Sequence, residues 1–550
     1  MTKFIVVAGG VISGVGKGVT TAALGKILKE YGYKTTLIKI DPYINYDAGT
    51  LRPTEHGEVW VTDDGGEIDQ DLGTYERFLN ESLPKKNNIT TGQIYKAVID
   101  RERAGHYLGQ TVQYMPHIID EIKKRVFDAA EDYEIAIIEV GGIVGDYENT
   151  PYFFSLKSIE REIGSENMAY VLVTYLPVPE HLGEMKIRPT RQALRLLGEE
   201  GILPDFIICR SKYSIDSVRA KKFEEFANVP SDRVISAPDV QTIYQIPLDL
   251  EQEQFGLKIL KQLHLEPRQQ PDWTEWARLV DVIRNPQKKI TIAIVGKYLD
   301  VGNFSLTDSY LSIYQALIHA AAQQNYGVTI KWIDAKQYEQ NPELLAELND
   351  VAGIIVPGGF GSSGVEGKMK AIEYARINNI PYLGLCYGMH LAAVEFARNV
   401  CGMADAHTTE VAKDTQYPIV DILPLQKELL EQKYFGGTMR LGSYDAILRT
   451  GSKVAQLYKG ATLLQGTDEI VTERHRHRYE MNPMFVPALE AKGLVFSGHH
   501  NRQDGTQLME YLELPNHTFF VATQAHPEFK SRLGHPNPLF AGFIKAAMTK

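Results

Sequence analysis

Residues 3–21, KFIVVAGGVISGVGKGVTT, decide the fold. KFIVVA (3–8) is a β-branched run that predicts a buried strand. Glycines 9, 10, 14, 16 and 18 let successive backbone N–H groups turn toward one anion, and Lys17 adds a positive charge there. A helical pattern over 20–31 offers its N-terminus to the same place. Together these features predict a phosphate loop in a mostly parallel α/β sheet. The loop departs from the usual G-x-x-x-x-G-K-[ST]. Five residues separate Gly10 from Gly16, and Gly18 stands where a magnesium-holding hydroxyl is usual.

The alternation continues outward. TTLIKI (35–40), EIAIIEV (134–140) and LPDFIIC (203–209) read as further buried strands. Around 264–289 the texture changes, with Pro267, Pro271 and Pro286 bracketing one short amphipathic stretch. ITIAIVG (290–296) then opens a second α/β series through AGIIVPGG (352–359), PYLGLC (381–386) and FFVATQAH (519–526). The expected organisation is a first domain over 1–266, a linker over 267–289 and a second domain over 290–550. With 44% hydrophobic residues, the 550-residue chain is expected to be globular, not disordered or fibrous. The net charge of −11 argues against a chain-wide nucleic-acid or membrane surface, but not against a local basic pocket. No apolar run approaches the roughly 18 residues of a membrane span. Three cysteines without zinc spacing suit a reducing cytoplasm.

In the first half, the missing hydroxyl requires another metal ligand. Asp71 in EIDQDLG (67–73) and Glu139 in IIEVGGIVGDYE (137–148) are carboxylates set among apolar or glycine-rich neighbours. Magnesium takes one or two carboxylates plus phosphate oxygens and water. Solvated loop acids are the alternative. Lys186, Arg188, Arg191 and Arg195 cluster around a proline, and Lys221 and Lys222 form a second cluster. These suit a nucleoside triphosphate, with a solvated helix face as the alternative.

In the second half, Cys386 lies in G-x-C-x-G between an apolar run and a helical run. That is the cysteine counterpart of the strained serine elbow, and the helix N-terminus favours thiolate. The loop VPGGFG (356–361) offers N–H groups for an oxyanion hole. His526 and Glu528 in AHPEF (525–529) supply a base and a carboxylate to orient it, because i and i+2 of an extended segment point the same way. ERHRHRYE (473–480) suits carboxylate recognition better than metal binding, since no Cys or Asp joins its histidines in ligand spacing.

GGVISGVGKG, KIDPYIN, EHGEVWVTDDG, DLGTYERF, EVGGIVGD, GLCYGM, GGTMRLG, ERHRHRYE and AHPEF, in that order, resemble the CTP synthase family across essentially the whole chain. The resemblance implies an N-terminal amidoligase domain similar to dethiobiotin synthetase and a C-terminal class I glutamine amidotransferase domain. It implies CTP formation from UTP, ATP and glutamine, with GTP as activator and CTP as inhibitor, in a cytoplasmic homotetramer without nucleic acid or membrane. By the same resemblance, Gly14, Val15, Gly16, Lys17, Gly18, Val19, Lys39, Asp71, Asp239 and Val240 would bind ATP. Asp71 and Glu139 would hold Mg2+. Ser13, Asp146, Tyr147, Glu148, Lys186, Ile187, Arg188, Pro189, Thr190, Arg191 and Lys222 would line the UTP and CTP site. Gly359, Tyr387, Gly388, Met389, His390, Glu410 and Arg476 would bind glutamine, with Cys386, His526 and Glu528 as triad. His56 would flank an ammonia passage, and Phe360 and Arg440 are candidate GTP contacts.

Three places depart from the family pattern. Tyr387 to His390 read Y-G-M-H where L-G-M-Q is usual, Lys186 to Arg191 read K-I-R-P-T-R for K-T-K-P-T-Q, and Pro238 stands where lysine is common. Two rivals remain in view. One is an amidotransferase acting on a cofactor carboxylate, of the cobyrinate type. The other is a nucleotide-switch ATPase carrying a glutaminase-like binding domain. The triphosphate-type basic cluster argues against the first, and the intact Cys-His-Glu set against the second.

Overall fold

The computed structural model describes residues 1–52, 57–181, 183–297, 300–301, 304–305, 307–359, 361–422, 439–461, 463–464 and 469–550. The chain forms two compact units. The first comprises Met1–Ala48 and Gln70–Val280, the second Gly49–Asp69 and Asp281–Lys550. His56, expected to flank the ammonia passage, and Phe360, a candidate GTP contact, lie outside the described residues.

The first unit is built on seven strands: β1 (Lys3–Gly9), β2 (Thr35–Asp41), β3 (Asn88–Thr90), β4 (Ile135–Val140), β5 (Met168–Tyr175), β6 (Phe206–Ser211) and β7 (Val234–Pro238). They lie in the order β3-β2-β4-β1-β5-β6-β7, and every neighbouring pair is parallel. A parallel sheet is covered on both faces, so its strands are apolar without alternation. IAIIEV of β4 is buried at all six positions, the carboxylate of Glu139 included. β6 begins at Phe206, later than the LPDFIIC run, because the Asp205 carboxylate accepts from the Tyr170 N–H before the ladder starts. Helix α1 (Lys17–Glu30) follows the glycine loop, and α2 (Asp71–Leu79) opens on Asp71. The helix Thr274–Arg284, in the expected linker, packs at its start on this unit: Trp276 Nε1 donates to the Tyr244 carbonyl at 2.7 Å.

The main sheet of the second unit has nine strands: β8 (Lys289–Gly296), β9 (Gly327–Asp334), β10 (Gly353–Val356), β11 (Tyr382–Leu385), β12 (Arg440–Leu448), β13 (Ile470–His477), β14 (Val495–Asn501), β15 (Gln507–Glu513) and β16 (Phe520–Thr523). Their order is β9-β8-β10-β11-β16-β15-β14-β12-β13. The five from β9 to β16 pair in parallel, and the pairs from β16 to β13 are antiparallel. Alternate residues of β8 feed two cores. Ala293 and Val295 join one cluster, Ile292 and Ile294 the other. Gly49–Asp69 is tied into this unit by Asp63, whose carboxylate accepts from Arg474 Nε at 2.8 Å and from the Ser443 hydroxyl at 2.6 Å. Burial opposes the Asp63 charge, but Arg474 and Lys530 outweigh it and hold the carboxyl well below the usual range. Among the described residues, no helix is long and apolar enough to cross a membrane.

Candidate functional site

In the first unit, the loop between β1 and α1 is shaped by what surrounds its glycines. Gly14 and Gly16 have φ of 73° and 93°, a region that favours glycine. A Cβ on Gly18 would lie 2.6 Å from Asp71 Oδ1 and 3.5 Å from Glu139 Oε2. The hydroxyl residue of the usual loop is thus missing because two carboxylates occupy its surroundings. Lys39 Nζ bridges them, with Glu139 Oε1 at 2.7 Å and an ion pair to Asp71 Oδ2; Asp41 lies 3.9 Å away. Burial opposes the Lys39 charge, yet Asp71 and Glu139 hold its ammonium well above the usual lysine range. Burial raises the Glu139 carboxyl despite Lys39. Lys17 Nζ donates to the Gly142 carbonyl at 2.6 Å, and burial lowers its ammonium.

The two carboxylates converge beside Gly18, and Lys39 pairs with one oxygen of each, Asp71 Oδ2 and Glu139 Oε1. Hard oxygen donors in that number suit magnesium completed by phosphate oxygens and water. Among the described residues, no group of three or more His, Cys, Asp or Glu is arranged to hold a metal, so phosphates and water would have to complete the shell.

Lys186, Ile187, Arg188, Pro189 and Arg191 line one open cleft of about 1140 Å³, where the Arg191 guanidinium stacks 5.0 Å over the Phe226 ring. Thr190 points the other way: it is buried and hydrogen-bonded to the Thr174 hydroxyl at 2.9 Å. Lys222 is exposed on the helix Ser217–Ala227, outside that lining. Tyr147 and Glu148 line a separate cavity of about 310 Å³, walled by Tyr43, Tyr95, Tyr114 and Tyr152. Asp146 Oδ2 accepts from the Ile143 N–H at 2.9 Å. Asp239 pairs with Arg210 at 3.1 Å. Arg210, not singled out from the sequence, underlies the phosphate loop; a Cβ on Gly16 would come 2.5 Å from its guanidinium.

In the second unit, Cys386 joins β11 to α3 (Tyr387–Asn399) with φ 50° and ψ −101°. A non-glycine residue in that region is strained by roughly 1–3 kcal/mol. The surroundings over-determine it. The Cys386 N–H donates to the Thr523 carbonyl at 2.7 Å. A Cβ on Gly384 would meet Tyr382 Oη at 2.6 Å and Ala522 Cβ at 2.8 Å, and one on Gly388 would strike the Val356 carbonyl oxygen. Both glycines of G-x-C-x-G are therefore steric requirements of the elbow.

His526 Nδ1 lies 2.7 Å from Glu528 Oε1, and the imidazole also bonds the Cys386 sulfur. Burial opposes the imidazolium, but the Glu528 and Cys386 charges outweigh it and push it up to about 10. Cys386, His526, Glu528, Gly358, Gly359 and Arg476 all line one cavity of about 280 Å³. Arg476 is aimed by Glu67, whose Oε1 accepts from its Nε at 2.8 Å. Glu410 accepts from the Gly361 N–H at 2.6 Å, and burial raises its carboxyl.

Tyr387, Gly388, Met389 and His390, the first turn of α3, are buried and outside the cavity lining. Arg440 is buried too, paired with Glu510 at 2.6 Å and Glu480 at 3.5 Å and stacked 4.3 Å over Tyr444. Its guanidinium is committed to internal carboxylates rather than presented to a ligand. His475 joins the same cluster through Glu510 at 2.7 Å, so the ERHRHRYE stretch divides its work. Its histidines sit in the interior, and Arg476 and Arg478 face the cavity. Gln524 was not singled out either. It stands two residues before His526, as Glu528 stands two residues after it.

The family described as CTP synthase N-terminus matches residues 3–265, and that described as glutamine amidotransferase class-I matches residues 305–546. The CTP synthase of Pyrococcus abyssi is 50% identical over 547 residues, covering 100% of this chain and 98% of that one. This chain belongs to the CTP synthase family. The CTP synthase of Methanocaldococcus jannaschii is 48% identical over 551 residues, covering 99% of this chain and 98% of that one. Among solved structures, the glutaminase domain of Trypanosoma brucei CTPS with bound acivicin is 35% identical, covering 48% of this chain and 94% of that one, with a TM-score of 0.43. The chain is thus an enzyme of the CTP synthase family that carries a class I glutamine amidotransferase region.

Proposed function

We propose that the chain makes CTP from UTP, using ATP to activate the pyrimidine O4 and ammonia released from glutamine to displace it. The observation that carries this reading is the pairing, in one chain, of a phosphate loop faced by two carboxylates with a strained cysteine against a His-Glu pair. The pyrimidine O4 is a poor leaving group, and phosphoryl transfer from ATP turns it into phosphate. Ammonia then adds at C4 and phosphate leaves. Lys17 and the loop over 14–19 hold the transferring phosphates, where catalysis is mostly positioning and charge neutralisation. Asp71 and Glu139 would hold Mg2+, which when bound neutralises phosphate charge. Lys39 stays beside both carboxylates and sets their direction.

In the second unit, Cys386 attacks the glutamine amide. His526 passes a proton to the departing ammonia, and Glu528 keeps the ring oriented. The thioester is then hydrolysed by water activated by the same ring. N–H groups of the loop carrying Gly358 and Gly359 steady the tetrahedral oxyanion, and Arg476 receives the glutamine carboxylate. Activation of this half-reaction by GTP and a homotetrameric assembly belong to the same proposal, supported by the sequence resemblance alone. Incubation with UTP, ATP, magnesium and glutamine, followed by nucleotide chromatography, tests the reading: CTP and ADP should appear together, and ADP should require UTP. ADP release without UTP would favour a different acceptor.

CTP is expected to compete with UTP. Lys186, Arg188 and Arg191 read phosphates that both nucleotides carry, so selectivity must come from the base. Arg188→Ala and Arg191→Ala should raise the UTP KM and the CTP inhibition constant together, by about tenfold each, the size of one lost charged hydrogen bond. Millimolar CTP that leaves the UTP dependence unchanged would show that the cleft is not shared.

Gly358→Ala should slow glutamine use at least tenfold and spare ammonia-dependent synthesis. The added methyl would stand 3.1 Å from His526 Cε1, so the ring must yield by a few tenths of an ångström, while Cys386 Cβ at 3.6 Å stays in ordinary contact. Unchanged glutamine kinetics in this variant would mean the pair tolerates that displacement.

A further inference from the structure

Behind Cys386 runs a buried line of polar atoms that the mechanism above does not use. Gln524 is fully buried, and its Nε2 donates to Cys386 Sγ at 3.7 Å. Its Oε1 lies 2.5 Å from His390 Nε2. His390 is itself 2% exposed, and its other ring nitrogen, Nδ1, is buried without a hydrogen-bond partner.

The hydrogen bookkeeping has two solutions. A carbonyl oxygen only accepts, so with Gln524 in the orientation seen, His390 Nε2 carries the proton and Nδ1 a bare lone pair. In the alternative, the amide is turned over. The carbonyl then faces the sulfur and the NH2 faces a bare Nε2, so the proton sits on Nδ1, where it is a buried donor with nothing to accept it. Nδ1 is unpartnered in both solutions, so its desolvation cost does not separate them. What separates them is the sulfur, since a carbonyl dipole against a thiolate is repulsive and an N–H group is attractive. Burial keeps His390 neutral, its imidazolium being pushed down to about 4, so a doubly protonated ring does not blur the choice. The charged groups facing the Cys386 sulfur are His526 and Lys368, whose ammonium burial and Lys297 push down to about 7; among the described residues, the facing neighbours of His390 itself do not supply a charge. They are the Tyr387 ring at 6.2 Å and His477 on β13, which burial holds well below the usual range.

We propose that His390 is a positioning residue that pins the Gln524 amide with its N–H group toward the Cys386 sulfur, so that the thiolate has a second donor beside His526. The proposal rests on Cys386 being the nucleophile. A donor of this kind has two opposed effects. It raises the fraction of cysteine present as thiolate, and it lowers the nucleophilicity of each thiolate, with a Brønsted slope of about 0.4–0.5. A tenfold change in thiolate fraction therefore brings about a threefold opposite change in intrinsic rate. Below the midpoint of the alkylation curve the fraction wins; well above it only the intrinsic term remains.

The test is alkylation of Cys386 by iodoacetamide in the full chain, followed by mass spectrometry of its peptide as a function of pH. For His390→Leu the curve should move up by about one pH unit, with a rate about threefold lower below the midpoint and about threefold higher on the alkaline plateau. His390→Gln, whose side-chain amide reaches as far as Nε2, should keep the parent curve within a factor of two. A merely structural role for His390 would not make the two curves cross. A His390→Leu curve that superimposes on the parent, or a His390→Gln curve shifted as far as that of His390→Leu, overturns the proposal. Should His390→Leu not fold, His390→Asn decides: its amide is too short to reach Gln524 Oε1, so its curve should move as expected for His390→Leu, and an unmoved curve overturns the proposal. If Cys386→Ala kept glutamine hydrolysis, the nucleophile assignment would fall and this proposal with it. An alkylatable Cys386 indifferent to His390 would bring down the proposal alone.

Discussion

Cys386→Ala is expected to lose CTP synthesis from glutamine to background and to keep it from ammonium chloride. The sulfur is the one proposed nucleophile toward glutamine, and alanine cannot form a thioester. Removing a residue that acts as part of a nucleophile-base unit costs about a thousandfold or more. The fold should survive. The strained φ of 50° is imposed by the surrounding elbow, and alanine tolerates it as poorly as cysteine does and no worse. The lost sulfur leaves a small gap beside the cavity. The carboxylates, Lys17 and Lys39 of the phosphate loop belong to the other compact unit and make no use of this thiol. Supplied ammonia should therefore be consumed, provided the pH leaves some of it unprotonated. The measurement is CTP formed by the purified variant with either nitrogen source at matched UTP and ATP. Glutamine-dependent synthesis that persists would sink the nucleophile assignment. Loss of both activities in a folded protein would mean that the two half-reactions are not separable.

What the sequence made legible was whatever rests on local pattern. The strand-glycine-helix run of 3–30 and the four apolar runs that begin at 290, 352, 381 and 519 reappear as parallel strands, because burial on both faces writes itself as uninterrupted apolar sequence. The elbow was legible because its glycines are demanded by immediate neighbours. Elements held by distant partners were not. Gly49–Asp69 carries no sign in its own residues of belonging with the second unit; what holds it are Asp63 on Arg474 and Glu67 on Arg476, pairs some 400 positions apart in sequence. The direction of a side chain on a known element was also hidden. Thr190 sits in the middle of a basic cluster yet faces the sheet, and Arg440 lies in a glycine-rich stretch yet is buried against Glu510. A charge run does not say which of its members has a carboxylate waiting inside. The absent hydroxyl at Gly18 was visible as a departure, but its cause, the Asp71 oxygen in that space, comes from a residue far along the chain.

Asp71→Asn is expected to remove CTP formation from both glutamine and ammonia while glutamine hydrolysis continues at its basal rate. The substitution is nearly isosteric, so Gly18 still has room beside it and α2 still opens at this position. What changes is charge. Asp71 and Glu139 converge beside Gly18 and each pairs with Lys39, and the neutral amide halves the carboxylate charge available there. A hard divalent ion bound through one or two carboxylates loses most of its protein-supplied attraction when one becomes neutral. The amide also brings an N–H group that repels the ion. Phosphoryl transfer that depends on neutralised phosphate charge should then fall by about a hundredfold or more. Stability is a smaller concern. Stripping a buried ion pair of one partner costs about 3–5 kcal/mol when the other is left alone. Lys39 is not left alone: Glu139 remains at 2.7 Å and Asp41 at 3.9 Å. The cost should sit well below that range, and the thermal transition should move little. CTP would be measured with each nitrogen source, and glutamate release from glutamine in parallel. Near-normal CTP formation would refute the placement of the metal at Asp71. If glutamate release collapsed as well, the residue would be supporting something common to both half-reactions, and its role would be larger than holding an ion.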